Sequence, residues 1–486
     1  MVLAGAGVWA AGPWSGGQRV SERHARLSAA AEPSSTASRD SVAPSSPAPS
    51  ARSTGPEHHP AEVALTPVLA GGKADGGLTA AELGAVLKPL AGAPGLGSHV
   101  GVAVADPAGS ALLFDDHAAD AFAPASTNKV VTAVAALAAL GPDKRFQTRV
   151  VQAAPSSAGP AIVLVGGGDP TLSSQRPPAD PAWRPASLDD LAAATAGALL
   201  AKGVNSVTLG YDASLFAGPA LNPTWSAGYT DGNVAPVTAL MADEGRSRPA
   251  EELSPRVADP AATAATVFAA RLAAHGVQVA GKPSAAPGAG TGDQLAAVSS
   301  ARLADLVEHM LTVSDNDLAE ALIRQVALAG GQPATFAGGV AAVRDQLTKL
   351  GVDLTGLQTL DGSGLSREDR ISPALLVRVL SAAAADSHPD LRAALTGLPV
   401  AGLTGTLAED GRYTTAQSSA GAGLVRAKTG SLTGVVTLAG LVRDGDGELL
   451  VFALMADQTP DIAAARAAVD RMATTLAGCG CGGAAG

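Results

Sequence analysis

Ser126 and Lys129 are the first residues in this sequence whose types and spacing could support a chemical reaction. They are three positions apart in a stretch, residues 123–137, that is predicted to begin a helix, so both side chains would project from one helical face. A serine hydroxyl is a weak nucleophile that needs an adjacent base. A lysine amine can be that base when burial or a neighbouring cation keeps it neutral. By itself the spacing is weak evidence, since an N-cap serine followed by a solvated lysine has the same pattern.

A second polar group, Ser314-Asp315-Asn316, lies between two predicted helices, residues 303–313 and 317–326. A serine and an asparagine at a junction between helices could reach into a cleft together. The hydroxyl could relay protons, and the amide could bind a substrate amide. The alternative is that Ser314 or Asp315 only caps the helix that follows.

A third group, Lys428-Thr429-Gly430, follows a predicted strand at residues 424–427 and precedes Ser431. A cationic lysine beside a hydroxyl suits a substrate carboxylate. Gly430 would let a backbone pass close to a ligand. The alternative is a turn at the end of a strand with an exposed lysine.

Taken together and in this order, the three groups resemble the three-motif signature of the penicillin-binding proteins and serine β-lactamases. The first and second groups are 188 residues apart (126 to 314), and the second and third are 114 apart (314 to 428). The long first separation is similar to that of the D-alanyl-D-alanine carboxypeptidase/endopeptidase family, peptidase family S13, the class C type-4 low-molecular-mass penicillin-binding proteins. The resemblance spans about residues 78–477, and further stretches that carry it are 167–172, 211–216, 314–322, 361–366 and 428–432.

The resemblance implies a serine DD-peptidase that cleaves D-Ala-D-Ala ends through an acyl-enzyme. Ser126 would attack the carbonyl of the penultimate D-Ala, and Lys129 would take its proton. Ser314 would pass a proton to the leaving amine, with Lys428 keeping that network polarised. The backbone N–H groups of Ser126 and Ser431 would form the oxyanion hole.

The same resemblance implies how a substrate would bind. Asn316 would bind the peptide side, and Lys428 and Thr429 would bind the terminal carboxylate beside Gly430. The expected partners are peptidoglycan stem peptides, with β-lactams as inhibitors, and no cofactor or metal is implied. Carboxypeptidase and endopeptidase activity use one site, so the sequence leaves the balance between them open.

Strands predicted near both ends of the chain, with helices between them, are the elements that must position these groups. They predict an α+β fold, an α/β sandwich in which one antiparallel sheet is flanked by helices. This is the serine β-lactamase/DD-peptidase fold that the resemblance implies. Residues 78–145 and 301–477 would form the peptidase domain, and residues 146–300 would be inserted between the first and second groups.

The two ends of the chain have a different composition. Residues 1–20 begin with an apolar, uncharged run, which predicts the remnant of a secretion signal or membrane anchor; a disordered apolar end is the alternative. Residues 21–77 are rich in Ser, Pro and Ala and predict a linker. Residues 478–486 predict a flexible tail, in which Cys479 and Cys481 are too close for an unstrained disulfide. Together these segments predict an extracytoplasmic protein, secreted or anchored at the outer face of the cytoplasmic membrane.

Composition and missing motifs bear on other functions. A net charge of -11 without a Lys/Arg block argues against nucleic acid as a partner. None of the eight histidines falls in a metal-ligand pattern. Residues 330–370 contain Glu368 but no Glu-x-x-Leu-Asn pattern of a class A β-lactamase. A non-catalytic penicillin-binding or wall-binding module remains the main alternative, and a β-lactamase a lesser one.

Overall fold

The computed structural model describes residues 79–108, 111–156, 159–177, 183–251, 253–409 and 411–479. The predicted signal or anchor remnant, the predicted linker and most of the predicted tail, including Cys481, lie outside the described residues. Within these ranges, no helix has both the length and the apolar character needed to cross a membrane.

The described strands and helices are numbered in chain order. The strands are β1 (His99–Ala105), β2 (Leu112–Asp116), β3 (Gln147–Ser156), β4 (Gly159–Val165), β5 (Ser206–Asp212), β6 (Gln278–Val279), β7 (Ser284–Ala285), β8 (Gln294–Ser299), β9 (Leu357–Gln358), β10 (Arg370–Ile371), β11 (Val425–Leu432), β12 (Val435–Arg443) and β13 (Leu449–Asp457). The helices are α1 (Ala80–Ala91), α2 (Asn128–Leu140), α3 (Leu188–Leu200), α4 (Pro260–Ala274), α5 (Leu303–Val313), α6 (Asn316–Ala329), α7 (Phe336–Lys349), α8 (Pro373–Ala384), α9 (Ala393–Thr396) and α10 (Ile462–Gly478).

A five-stranded sheet in the order β11-β12-β13-β1-β2 joins the two ends of the described chain. All of its neighbouring strands are antiparallel. The predicted antiparallel sheet assembled from both ends of the chain is therefore confirmed. Because the sheet pairs residues more than 300 positions apart, such as His99 and Asp457, it joins the strand of the third group to strands from the start of the described chain.

Strand β13 shows why the sheet lies between two layers of helices. Alternate residues of a strand point to opposite faces of its sheet. Val451, Ala453 and Met455 join an apolar cluster with residues of α2, α5, α6 and α8. Phe452 and Leu454 join a second cluster with residues of α1 and α10. A strand that is buried on both faces has a continuous apolar sequence, as β13 does.

A second sheet lies wholly within residues 147–299. Its order is β6-β5-β4-β3-β8, with β7 also paired to β5. Strand β3 is antiparallel to β4 and β8, whereas β5 is parallel to β4, β6 and β7. Helices α3 and α4 pack on this sheet in an apolar cluster of their own. The division into a peptidase domain and an inserted domain at residues 146–300 stays a prediction.

Three sequence-based boundaries differ from the structure. Strand β11 continues to Leu432, five residues beyond its predicted end at residue 427, because it pairs with β12 along its whole length. The third group therefore lies inside a strand and not in a turn. Helix α6 begins at Asn316, with Asp315 as its N-cap, and α10 extends to Gly478, the first residue of the predicted tail.

Gly440 of β12 provides a test of how closely β11 must approach its neighbour. A Cβ atom at this position would overlap the backbone of Arg426 and Ala427 in β11. We expect Gly440→Ala to reduce the free energy of unfolding by about 1–3 kcal/mol, the usual cost of overpacking, and to lower the melting temperature. The matched control is Gly197→Ala in α3, where an added Cβ meets nothing within 4 Å. Equal melting temperatures for the two variants would contradict this packing.

Candidate active site

Ser126 lies in a short 3₁₀ turn, Ala125–Thr127, that leads directly into α2. Its side chain is partly exposed, whereas Lys129, in the first turn of α2, is fully buried. The Nζ atom of Lys129 donates a hydrogen bond to Ser126 Oγ at 3.0 Å. The first group thus forms a hydroxyl–amine pair with one member open to the surface. Ala125 has a φ of 47°, an uncommon value for a residue with a Cβ atom, at the position next to the serine.

Lys129 has two further acceptors from distant parts of the chain. Its Nζ donates to Asn316 Oδ1 at 2.6 Å and to the carbonyl oxygen of Ser363 at 2.9 Å. With Ser126 Oγ, these acceptors match the three donors of an ammonium group. The structure therefore brings the first and second groups into direct contact through one buried side chain.

The second group is positioned by the junction between α5 and α6. Ser314 ends α5 in the left-handed conformation (φ 64°, ψ 41°), and Asp315 caps α6 by accepting from Leu318 N at 2.9 Å. The capping alternative is thus realised by Asp315. The amide of Asn316 is engaged at both ends, because its Nδ2 donates to Asn233 O at 2.9 Å.

The third group lies in β11 beside the turn that carries Ser126. Lys428 is fully buried, and its Nζ donates to Thr429 O at 3.0 Å. The hydroxyl of Thr429 is 2.7 Å from that of Thr406. A Cβ atom on Gly430 would lie 2.1 Å from Thr437 Oγ1 and 2.7 Å from Pro124 O, so the absent side chain makes room for a neighbouring side chain and for the backbone before Ser126. From the sequence, this glycine is expected to let the backbone pass close to a ligand.

Ser431 follows Gly430 and is half-buried, with its hydroxyl 3.5 Å from Arg466 Nη2 of α10. The predicted site residues therefore occupy the turn before α2, the α5–α6 junction and β11. Hydrogen bonds join the first two of these segments, and close backbone packing joins the third to the first.

Glu320 is a supporting residue that the sequence analysis did not identify. This fully buried carboxylate in α6 accepts from the N–H groups of Gly362 at 3.1 Å and Ser363 at 2.8 Å. It thereby holds the backbone N–H of Ser363, the residue whose carbonyl oxygen accepts from Lys129. Glu320 and Arg324 are four residues apart in a helix, a spacing that is typical of an ion pair on an exposed helix face. Both residues are buried, so the spacing alone predicts the wrong environment for Glu320.

Asp361 organises the same turn from its other side. Its carboxylate accepts from Gly364 N, Ser366 N and Trp225 Nε1, each at 2.7 Å. Residues 361–366 carry part of the family resemblance, and this resemblance is the feature of the sequence that indicates that the turn belongs to the site. Because Trp225 belongs to the predicted insertion, that part of the chain also supports the site.

Burial of several carboxyl groups here has an electrostatic consequence. Burial, reinforced by the neighbouring Asp361 carboxylate, raises the pKa of Glu320 to about 8. Burial also raises the pKa of Asp369 well above its usual value, again with Asp361 as the next contribution. Carboxylates grouped in this way disfavour one another's ionisation, so the supporting turn is sensitive to pH.

The fold and sequence are both similar to those of known proteins. The structure resembles that of penicillin binding protein 4 from Haemophilus influenzae, with a TM-score of 0.68 and 22% identity, over 81% of this chain and 100% of that one. It therefore has the fold of a penicillin-binding protein, which confirms the predicted class. The chain is 37% identical to carboxypeptidase DacB of Mycolicibacterium smegmatis, over 88% of this chain and 92% of that protein. It is 40% identical to a carboxypeptidase of Mycobacterium tuberculosis, over 74% and 76% respectively.

The family model of the D-Ala-D-Ala carboxypeptidase 3 (S13) family matches residues 83–252 and 246–477. The chain belongs to this family of hydrolases, as the motif order and the long first separation predicted.

The pKa of Glu320 predicts a pH dependence of stability. Its folded value of about 8 lies above the usual 4.5, so the folded state holds an extra proton between these pH values. This contribution to stability is complete below the unfolded pKa and is lost as the pH rises through the folded one. Glu320→Gln cannot ionise, so its melting temperature should fall less than that of the wild type between about pH 5 and about pH 8.5.

The control for this measurement is Glu368→Gln, at an exposed position. It leaves the buried carboxyl group in place and should retain the wild-type pH dependence. An unchanged pH dependence in Glu320→Gln would show that the buried carboxyl group does not titrate in this range.

Proposed function

We propose that this chain hydrolyses D-Ala-D-Ala termini of peptidoglycan stem peptides through an acyl-enzyme on Ser126. The observation that carries the proposal is the buried Lys129 amine, 3.0 Å from the partly exposed Ser126 hydroxyl and bonded to Asn316. Membership of the carboxypeptidase family supports the reaction class. The geometry supports the assignment of the nucleophile and its base.

In the acylation step, Lys129 acts as a neutral amine: Ser126 Oγ attacks the carbonyl carbon of the penultimate D-Ala, and its proton passes to Lys129. Ser314 then relays this proton, giving its own to the amine of the terminal D-Ala as the C–N bond breaks and recovering one from Lys129, with Lys428 polarising this path. The negative charge on the tetrahedral oxygen is stabilised by the backbone N–H groups of Ser126 and Ser431, a contribution of about 3 kcal/mol per donor.

In the deacylation step, water attacks the ester carbonyl and gives a proton to the neutral Lys129 amine, and Lys129 returns a proton to Ser126 Oγ as the bond to this oxygen breaks. The same acyl-enzyme forms when the leaving amine belongs to a cross-linked stem peptide, which would make the enzyme an endopeptidase as well. A β-lactam presents a strained amide in place of D-Ala-D-Ala and so acylates Ser126 as an inhibitor.

Substrate binding is assigned to the second and third groups. Lys428 and Thr429 bind the terminal carboxylate, and Asn316 binds the peptide side. Gly430 contributes by letting β11 lie against the Pro124 backbone, which keeps this strand next to Ser126. Asn316 also holds Lys129, so one amide couples substrate recognition to the base.

The location that suits this substrate is outside the cytoplasmic membrane. The apolar start and the Ser/Pro/Ala-rich composition of residues 1–77 support secretion or attachment at the outer face of that membrane.

Acylation by a labelled penicillin tests the assignment of Ser126. We expect one stable adduct per wild-type molecule, measured by mass, and none for Ser126→Ala. Lys129→Ala should acylate about 10²–10⁴-fold more slowly, the usual contribution of a general base. The control Ser387→Ala, at an exposed serine, should react like the wild type.

Three outcomes would contradict the proposal. An adduct on Ser126→Ala would place the nucleophile elsewhere. Folded wild-type protein without an adduct would favour a non-catalytic module, and rapid penicillin turnover would favour a β-lactamase.

The carboxylate-binding role of Lys428 predicts a preference among substrates. A peptide ending in free D-Ala-D-Ala should have a kcat/KM at least about tenfold above that of its C-terminal amide, because a hydrogen bond to a charged group contributes about 1.5–3 kcal/mol. Lys428→Ala should lower kcat/KM for the acid and remove most of this preference. If Lys428→Ala discriminates between acid and amide as the wild type does, the carboxylate is bound elsewhere.

A further inference from the structure

We propose that Glu244, His309 and Asp315 form a binding site for a divalent cation of the Zn²⁺ type, directly behind the second group. Each residue offers one donor atom, and these atoms all lie within 4.8 Å of one another. The residues come from different parts of the chain, and the proposed reaction uses none of them.

The carboxylate of Asp315 is the observation that points to a ligand. Its Oδ1 caps α6 by accepting from Leu318 N, whereas its buried Oδ2 has no hydrogen-bond partner among the described residues. Asp315 is only 7% exposed. A buried carboxylate oxygen without a partner is costly. His309 Nε2 lies 3.9 Å from this oxygen, which is too long for a hydrogen bond.

The charge balance around this oxygen favours a bound cation. Three carboxyl groups interact here with two guanidinium groups, and a fourth interacts with Asp315, which leaves two negative charges in excess when all are ionised; the residues are Glu244, Asp315, Asp317, Arg246, Arg256 and, as the fourth carboxyl group, Asp169. Arg256 forms an ion pair with Asp317 at 3.1 Å. Arg246 forms an ion pair with Glu244 and also interacts with the charge of Asp315, so a bound cation would share these carboxylates with Arg246. A divalent cation would balance the excess.

His309 supplies access and a nitrogen ligand. Its side chain is 24% exposed, so an ion could enter from solvent on this side. The indole of Trp183 stacks on the imidazole with 4.1 Å between ring centroids and 9° between planes. A ring held in this way loses little further conformational entropy when its Nε2 binds a metal.

The spacing of the donors is compatible with one ion. Zinc–nitrogen and zinc–oxygen bonds are about 2.0–2.2 Å long, so the donors of a tetrahedral site lie about 3.4 Å apart. His309 Nε2 and Asp315 Oδ2 are 3.9 Å apart, and all donors of the cluster lie within 4.8 Å of one another. Binding of one ion therefore needs small inward movements of these side chains. One imidazole with two carboxylates suits Zn²⁺ better than Mg²⁺.

A cation here would act on the position of the second group and not on the chemistry. Asp315 lies between Ser314 and Asn316, and Ser314 holds a left-handed conformation. An ion bound to the Asp315 carboxylate would restrain this junction and would stabilise the folded protein by mass action.

Equilibrium dialysis of the untagged full chain against zinc chloride tests the proposal. We expect the wild type to bind one more zinc ion than His309→Ala, and zinc to raise the melting temperature of the wild type more than that of the variant. Other histidines and cysteines, for example His58, His59, Cys479 and Cys481, could also bind zinc. The test is therefore the difference in bound zinc between the wild type and the variant.

The matched control is His275→Ala. His275 is also partly exposed and lies 3.1 Å from the Asp189 carboxylate, but it belongs to no three-donor cluster of the described residues. This variant should bind zinc like the wild type. Equal zinc binding by wild type and folded His309→Ala would overturn the proposal. His309→Gln replaces the alanine variant if the latter fails to fold.

An anomalous difference map of zinc-soaked crystals gives a result that does not depend on a variant. A peak within about 2.0–2.3 Å of Glu244, His309 and Asp315 is expected. A soaked crystal without that peak would overturn the site. The inference is independent of the proposed function, since Ser126→Ala should bind zinc like the wild type even if Ser126 is not the nucleophile.

Discussion

The burial of one lysine is the constraint on which the rest of this structure depends. Lys129 is fully buried, and its hydrogen bonds to Ser126, Asn316 and Ser363 come from three separate segments. A buried cationic group without such partners would cost several kcal/mol. The segments that supply the acceptors must therefore be positioned accurately, and the carboxylate of Glu320 does this for Ser363.

The five-stranded sheet positions the residues on the other side of the site. Strand β11 runs next to the turn that carries Ser126, and an added Cβ on Gly430 would meet Pro124 and Ala125. This approach places Lys428 and Thr429 in a strand that is fixed along its whole length by β12. A rigid strand holds its side chains more accurately than a turn would, which suits a subsite for a small, fixed carboxylate.

Residues 146–300 take part in the site in spite of having a sheet of their own. Asn233 O accepts from the Asn316 amide, and Trp225 Nε1 donates to the Asp361 carboxylate. Ala235 N donates to the buried carboxylate of Asp317. These bonds support the second group and the turn of residues 361–366, so changes in this part of the chain should affect the position of Lys129.

The sequence alone determined the three polar groups, their order and spacing, and the strands at both chain ends. The residue types and short-range periodicity that define these features are local, and the order and spacing of the groups carry the resemblance to the family. Tertiary structure alone decided that the Ser363 carbonyl binds Lys129, because every residue has a backbone carbonyl and the sequence does not indicate which one is used. It alone buried Glu320, whose helical spacing also fits an exposed ion pair. It also brought Glu244 to Asp315, since contacts between residues far apart in sequence are fixed by packing and not by local pattern.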